Sequence, residues 1–162
     1  MAKRIHSLQV VVAIGLVLTA GCDWLRPGGP PDEAVVEITS EDVNQLTVIV
    51  SQNFVRYQEP VCAGDPECPV IESIISADTF VVSSPYSNTF EFTDRYQILV
   101  ETYPVEEVQA LVGMTVDIDG KEWYDVQRLL SPRTEDGKRD RLRFVYQYHD
   151  LQGEDPTVRG GP

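Results

Sequence analysis

Arg141-Leu142-Arg143-Phe144-Val145-Tyr146-Gln147-Tyr148 is the stretch whose reading decides the fold class. Leu142, Phe144, Tyr146 and Tyr148 recur at every second position, so an extended chain puts all four on one face. A helix would scatter them. The segment therefore reads as a half-buried strand late in the chain.

The same period of two extends through most of the sequence. Leu46, Val48 and Val50 alternate with Thr47, Ile49 and Ser51, and the run continues through Phe54, Val55 and Tyr57. That predicts a long strand with both faces partly covered. Thr79 to Ser83 is a second β-rich run. Phe90 and Phe92 oppose Thr89, Glu91 and Thr93, and Tyr96, Ile98 and Val100 oppose Arg95, Gln97 and Glu101. Further on, Met114, Val116 and Ile118 alternate up to Asp119-Gly120, a hairpin turn signal with Trp123 to Leu130 as the partner strand. Asp136-Gly137 marks another turn.

One segment has a different period. From Pro104 to Val112 the apolar residues Val105, Val108, Leu111 and Val112 recur at three and four. Pro104 suits a first helical turn, Glu106 and Glu107 suit its positive end, and Gly113 can close it, so a short helix is predicted here. The expected fold is mainly β. Strands, then a short helix over 104–112, then strands again resembles the OB-fold and other small Greek-key barrels, with Thr102 to Gly120 placed like that class's helix and following strand. The alternative is a β-sandwich with a helical insertion.

Outside this domain, the start of the chain carries the most specific pattern. Lys3 and Arg4 precede an apolar run from Val10 to Ala20, which ends in Thr19-Ala20-Gly21-Cys22. The run is too short to span a bilayer as a mature helix and has the length of a secretory h-region. Charge, apolar run, small residues and cysteine in that order resemble the lipobox signal of bacterial lipoproteins, with Thr19 where such signals usually carry Leu. The resemblance implies that residues 1–21 are removed as a signal peptide. Cys22 then becomes the lipidated N-terminus, diacylated on sulfur by palmitate-like chains, which gain about 0.8 kcal/mol per buried CH₂. It further implies a bacterial cell-envelope location. Asp23 resembles the signal that keeps such proteins at the periplasmic face of the inner membrane; the outer membrane is the alternative.

Residues 22–34, rich in Pro and Gly (Pro27-Gly28-Gly29-Pro30-Pro31), read as a flexible tether. Residues 151–162 lack periodicity and read as a disordered tail. Between them, 35–150 read as a single β-rich domain of roughly 110 residues, enough to bury about two-thirds of its unfolded surface.

The chain has 13 basic and 26 acidic residues, a formal charge of −13, and loss of residues 1–21 would remove Lys3 and Arg4 but no acid. So acidic a protein is repelled by phosphate backbones and anionic headgroups, which argues against nucleic-acid binding and a polybasic membrane patch. The expected partners are the membrane, through the lipid anchor, and an envelope protein or polymer.

Cys62 and Cys68 enclose a short loop after the first long strand. Outside the cytoplasm, with Cys22 acylated, these two are expected to form a disulfide. A redox pair or half a metal site is the competing reading, but redox pairs are more often spaced C-x-x-C and the sequence lacks the further ligands for a zinc shell. No cofactor or metal is expected. Asp117, Asp119, Glu122 and Asp125 superficially resemble a calcium loop, but they lack the EF-hand spacing and read better as a solvated hairpin.

Trp123, Tyr124, Tyr146 and Tyr148, together with Phe90 and Phe92, could line a groove for a sugar ring or a proline-rich peptide; the same alternation also builds ordinary core. Arg133, Lys138, Arg139, Arg141 and Arg143 are the one basic concentration, interleaved with Glu135, Asp136 and Asp140, which points to local neutralisation. No G-x-S-x-G, S-x-x-K, H-E-x-x-H or phosphate-binding glycine loop occurs, and beyond residue 21 the one histidine is His149. No catalytic residue is assigned. These features favour a membrane-tethered, non-catalytic binding or structural module. The alternative is a small hydrolase of envelope glycans built on paired carboxylates, which requires a cleft holding two carboxyls, one of them shielded.

Overall fold

The computed structural model describes residues 29–58, 61–62, 68–135, 137–148 and 157–161. The expected signal segment 1–21, Cys22 and the expected tether as far as residue 28 lie outside the described residues, as do Asp136, His149 and residues 150–156.

Among the described residues nine strands follow one another: β1 Glu33–Ser40, β2 Gln45–Gln58, β3 Val70–Ser83, β4 Tyr86–Glu91, β5 Gln97–Pro104, β6 Ala110–Ile118, β7 Lys121–Leu130, β8 Leu142–Gln147 and β9 Thr157–Gly161. The chain is mainly β, as its period-two patterning predicts. All pairings are antiparallel. They form two sheets, a four-stranded one in the order β4-β1-β6-β7 and a five-stranded one in the order β3-β2-β5-β8-β9.

Alternation explains how the sheets pack. In β1, Ala34, Val36 and Ile38 turn inward; in β6, Ala110, Val112, Met114, Val116 and Ile118 do so. From the other sheet come Leu46, Val48 and Val50 of β2, Ile98 and Val100 of β5, and Leu142, Phe144 and Tyr146 of β8. These side chains make one cluster, so the two sheets face each other across a shared dry core. The ladders do not join into one closed barrel among the described residues; two separate sheets with a common interior are the sandwich arrangement. At about 25 cal/mol per Å² this shared burial is the dominant stabilising term.

The helix expected over 104–112 is not formed. Val105 to Val108 are bends and β6 begins at Ala110. The three-and-four spacing there arises because Ala110 and Val112 already belong to the inward row of β6 while Leu111 points to the other face. Gly113 lies mid-strand opposite Thr39, where an added Cβ would come within 2.7 Å of Thr39 Oγ1. Its lack of a side chain serves strand approach instead of helix termination.

Both domain boundaries also shift. The tether was expected to run to residue 34, yet β1 starts at Glu33, and Asp119 Oδ1 accepts hydrogen bonds from the amides of Asp32 (3.0 Å) and Glu33 (3.1 Å). In the stretch expected to be a loose tail, Thr157–Gly161 pairs with β8 from Arg143 to Gln147. Backbone hydrogen bonds satisfy that edge without any hydrophobic pattern. The Asp119-Gly120 turn is as expected: Asp119 and Gly120 have φ of 49° and 74° and join β6 to β7 in a two-residue hairpin.

Candidate functional site

β2 and β3 are 14 residues each, and they change character half-way. The register shifts between Val50 and Asn53 and again between Asn53 and Phe54, opposite Ser76. Sequence anticipates such a defect only in the polar break Ser51-Gln52-Asn53 inside an apolar run. The irregularity is pinned by side chains: Ser51 Oγ donates to Ser76 O (2.7 Å), Asn53 Nδ2 to Ser76 Oγ (3.2 Å), and Gln97 Nε2 to Phe54 O (2.9 Å). Gln52 ties the same point to the β4–β5 connection, donating to Glu91 O and accepting from the Thr93 amide at 3.0 Å. A bulge held this firmly re-aims the strand.

Beside it opens a cleft of about 560 Å³, lined by Gln52, Asn53, Ser76, Asp78, Glu91 and Asp94, among others. Among the described residues three carboxylates and one guanidinium line it; the guanidinium is that of Arg95, whose Nη1 donates to Asn53 Oδ1 at 2.8 Å. Asp78, Glu91 and Asp94 are all exposed. Beyond the bulge, β2 and β3 continue as an arm that ends at the Cys62–Cys68 disulfide, Cα–Cα 5.6 Å. The disulfide forms as the sequence predicts and closes the tip of the hairpin.

β3 is the outermost strand of its sheet: one side pairs with β2, and no described strand pairs with the other. It is exposed along most of its length, with Ile74, Ile75, Phe80 and Val81 all open to solvent and Val81 61% exposed. Its sequence, VIESIISADTFVVS, contains no Lys, Arg or Pro, the residues that commonly blunt a sheet edge. The opposite sheet differs: β7 carries Lys121, Glu122, Asp125 and Arg128, and β4 is only 6 residues long. Of the carboxylates on β3, Glu72 is taken by Arg56 (3.4 Å) and Arg143 (3.5 Å), while Asp78 is left facing the cleft from the position opposite Val50.

The most buried carboxylate of the body lies elsewhere. Glu101, on the outward face of β5, is held by Arg141 Nη1 at 2.6 Å and Arg143 Nε at 3.1 Å. Arg143 and Glu101 are direct cross-strand partners, so Glu72, Arg56, Glu101, Arg143 and Arg141 form an alternating charge network across the sheet. Arg133 and Arg139 both engage Glu107, and Arg128 engages Asp140 at 2.7 Å. Arg133, Arg139, Arg141 and Arg143 of the basic concentration thus pair with acids distant in sequence, Glu107, Glu101 and Glu72, and the interleaved Asp140 pairs with Arg128.

The aromatic candidates are largely interior. Tyr124 and Tyr146 are buried, which corrects the expectation that they form a binding surface: Tyr124 packs on Phe144 at 5.3 Å, and Tyr146 lies between Trp123 (5.5 Å) and Phe92 (5.8 Å). β7 and β8 lie in opposite sheets and turn these side chains into the shared core, so a groove on that face is already filled. Trp123 and Tyr148 are partly buried against the core, Trp123 beneath Lys121 Nζ at 4.2 Å and Tyr148 edge-on to Tyr96 at 6.3 Å. Burial, reinforced by Asp119 and then Tyr148, pushes the Tyr146 phenol up to about 12. Among the described residues no group of three or more His, Cys, Asp or Glu is placed to hold a metal ion.

No protein-family model, curated protein or solved structure matches this chain.

Proposed function

We propose that this chain is a lipid-anchored binding module of the bacterial envelope, a small acidic β-domain held near the membrane through Cys22 and presenting a sheet edge to a partner. The observation that carries the binding half is the open edge of β3, long, largely apolar and without Lys, Arg or Pro. The membrane half rests on the lipobox-like Thr19-Ala20-Gly21-Cys22 and the Pro/Gly stretch after it. A Greek-key order of strands within the two sheets is part of this reading.

The hydrolase alternative lacks support where it needs it. Its mechanism requires one shielded acid, whose raised pKa keeps the proton for the leaving group. The cleft carboxylates Asp78, Glu91 and Asp94 are all exposed, and the buried Glu101 is bound by two arginines.

Mass spectrometry of the protein extracted from its own membranes tests the anchor. A diacylated Cys22 at the N-terminus is expected, with Cys22→Ala leaving the membrane fraction; an unmodified Cys22 or cleavage elsewhere overturns it. Affinity capture of the acylated protein tests the binding half. One stoichiometric envelope partner is expected, whereas sugar release from peptidoglycan without a partner favours the hydrolase.

A further inference from the structure

We propose that the free edge of β3 takes up an extended cationic peptide segment of a partner protein as an added strand, with Asp78 and the adjoining cleft receiving its Lys or Arg side chain. This rests on the binding reading above and names its site and ligand class.

Strand addition needs an unpaired backbone ladder, and β3 supplies one: it is the terminal strand, paired only with β2 among the described residues. The side chains set what pairs there. Successive residues of β3 point to opposite faces, so Asp78 and Phe80 share the cleft face while Thr79 and Val81 share the outer one. An incoming strand puts its own alternate side chains beside these rows. On the outer face it meets exposed Val81, which favours an aliphatic residue. On the cleft face it meets Asp78 with Glu91 and Asp94 nearby, and the one cation lining the cleft among the described residues, Arg95, already donates to Asn53. A Lys or Arg there gains three carboxylates.

Charge also decides against the other occupants. A second copy would bring the same acidic edge and a formal charge of −13 against itself. Anionic polymers are repelled in the same way. An extended segment alternating aliphatic and basic residues satisfies both faces.

The probe is a fluorescent eight-residue peptide, (Val-Lys)₄, added to the full protein in detergent and followed by anisotropy. Two controls separate mechanisms: (Val-Glu)₄ reverses the charge, and (Val-Lys)₄ with alternate backbone nitrogens methylated keeps the charge but cannot pair on an edge. Binding of the first is expected, with a loss of about tenfold or more on N-methylation, on Asp78→Lys and on Val81→Lys, and none on Leu129→Lys in β7. Asp78 and Val81 are exposed, so these variants keep the fold, and unchanged thermal unfolding verifies it.

Equal binding of the methylated peptide means surface charge alone and overturns the proposal. So does a concentration-dependent dimer in sedimentation that Val81→Lys abolishes, which would assign the edge to a second copy. If membrane capture of a partner survives Asp78→Lys while the peptide fails to bind, the edge proposal falls and the binding reading stands.

Discussion

The body of the sandwich and the β2–β3 arm are both extended chain rich in apolar residues, yet the body is closed to solvent and most of the arm is not. Within the body, Val48, Val50 and Phe144 meet a second sheet and disappear from solvent; past the bulge, Phe54 is buried with Leu99 and Val145, whereas Val55, Tyr57, Ile74 and Ile75 stay exposed. Alternation fixes which side chains share a face, and whether that face is covered is decided by where the other sheet ends.

The largest contrast is expected from truncation. Phe144→Ala opens a cavity between the sheets and should lower stability by about 3–5 kcal/mol, whereas Ile75→Ser in the arm should change it by less than about 0.5 kcal/mol. Urea unfolding of both variants measures the difference, and equal costs would mean that the arm is covered in solution.

Next comes the charge network on the outer face. Glu101→Ala leaves Arg141 and Arg143 without their shared carboxylate and should cost about 1–2 kcal/mol, reduced from the figure for a fully buried pair because both arginines are about a third exposed. Glu101→Gln should recover part of it in the same assay. A comparable loss is expected from Cys62→Ser with Cys68→Ser, about 2 kcal/mol from loop entropy. Here the location of the change matters more than its size: amide exchange should accelerate in Val70–Ser76 while the amides of β8 keep their protection. Uniform acceleration would show that arm and body unfold as one unit.

The smallest effect at neutral pH belongs to Tyr146. Its folded pKa stands above the ordinary value of 10, so the folded state holds the proton more tightly than the unfolded chain. That stability is present below pH 10 and is lost as pH rises through about 12. Tyr146→Phe should be nearly silent at pH 7 and should flatten the fall in unfolding free energy between pH 10 and 12, read from denaturant curves across that range.

Much of the fold was legible because alternation survives in any strand with one buried face. β2, β5, β7 and β8 and the Asp119-Gly120 hairpin follow directly from it. β1 carries equally clean alternation in Ala34, Val36 and Ile38, but its first two residues follow the Pro/Gly stretch so closely that they read as the end of a tether. The segment from Val70 to Asp78 was illegible for a different reason. An exposed edge strand has no buried row, so Ser73, Ile74, Ile75 and Ser76 show no period. The spurious helix arose where the outward Leu111 adds an apolar residue beside the inward Ala110 and Val112. Of the site, the disulfide was readable from cysteine spacing. Asp78 was not, since nothing in one sequence distinguishes it from the other acids until the strand beside it is seen to be unpaired.

Residue-resolved amide exchange of the full chain, with and without (Val-Lys)₄, tests the open edge most directly. Without peptide, the outward-facing amides of β3 should exchange rapidly while those of β5 and β8 stay protected, and peptide should slow exchange along Val70–Ser83 alone. Protection of those outward-facing amides in the free protein, or peptide-induced protection on β4 or β7 instead, would contradict it.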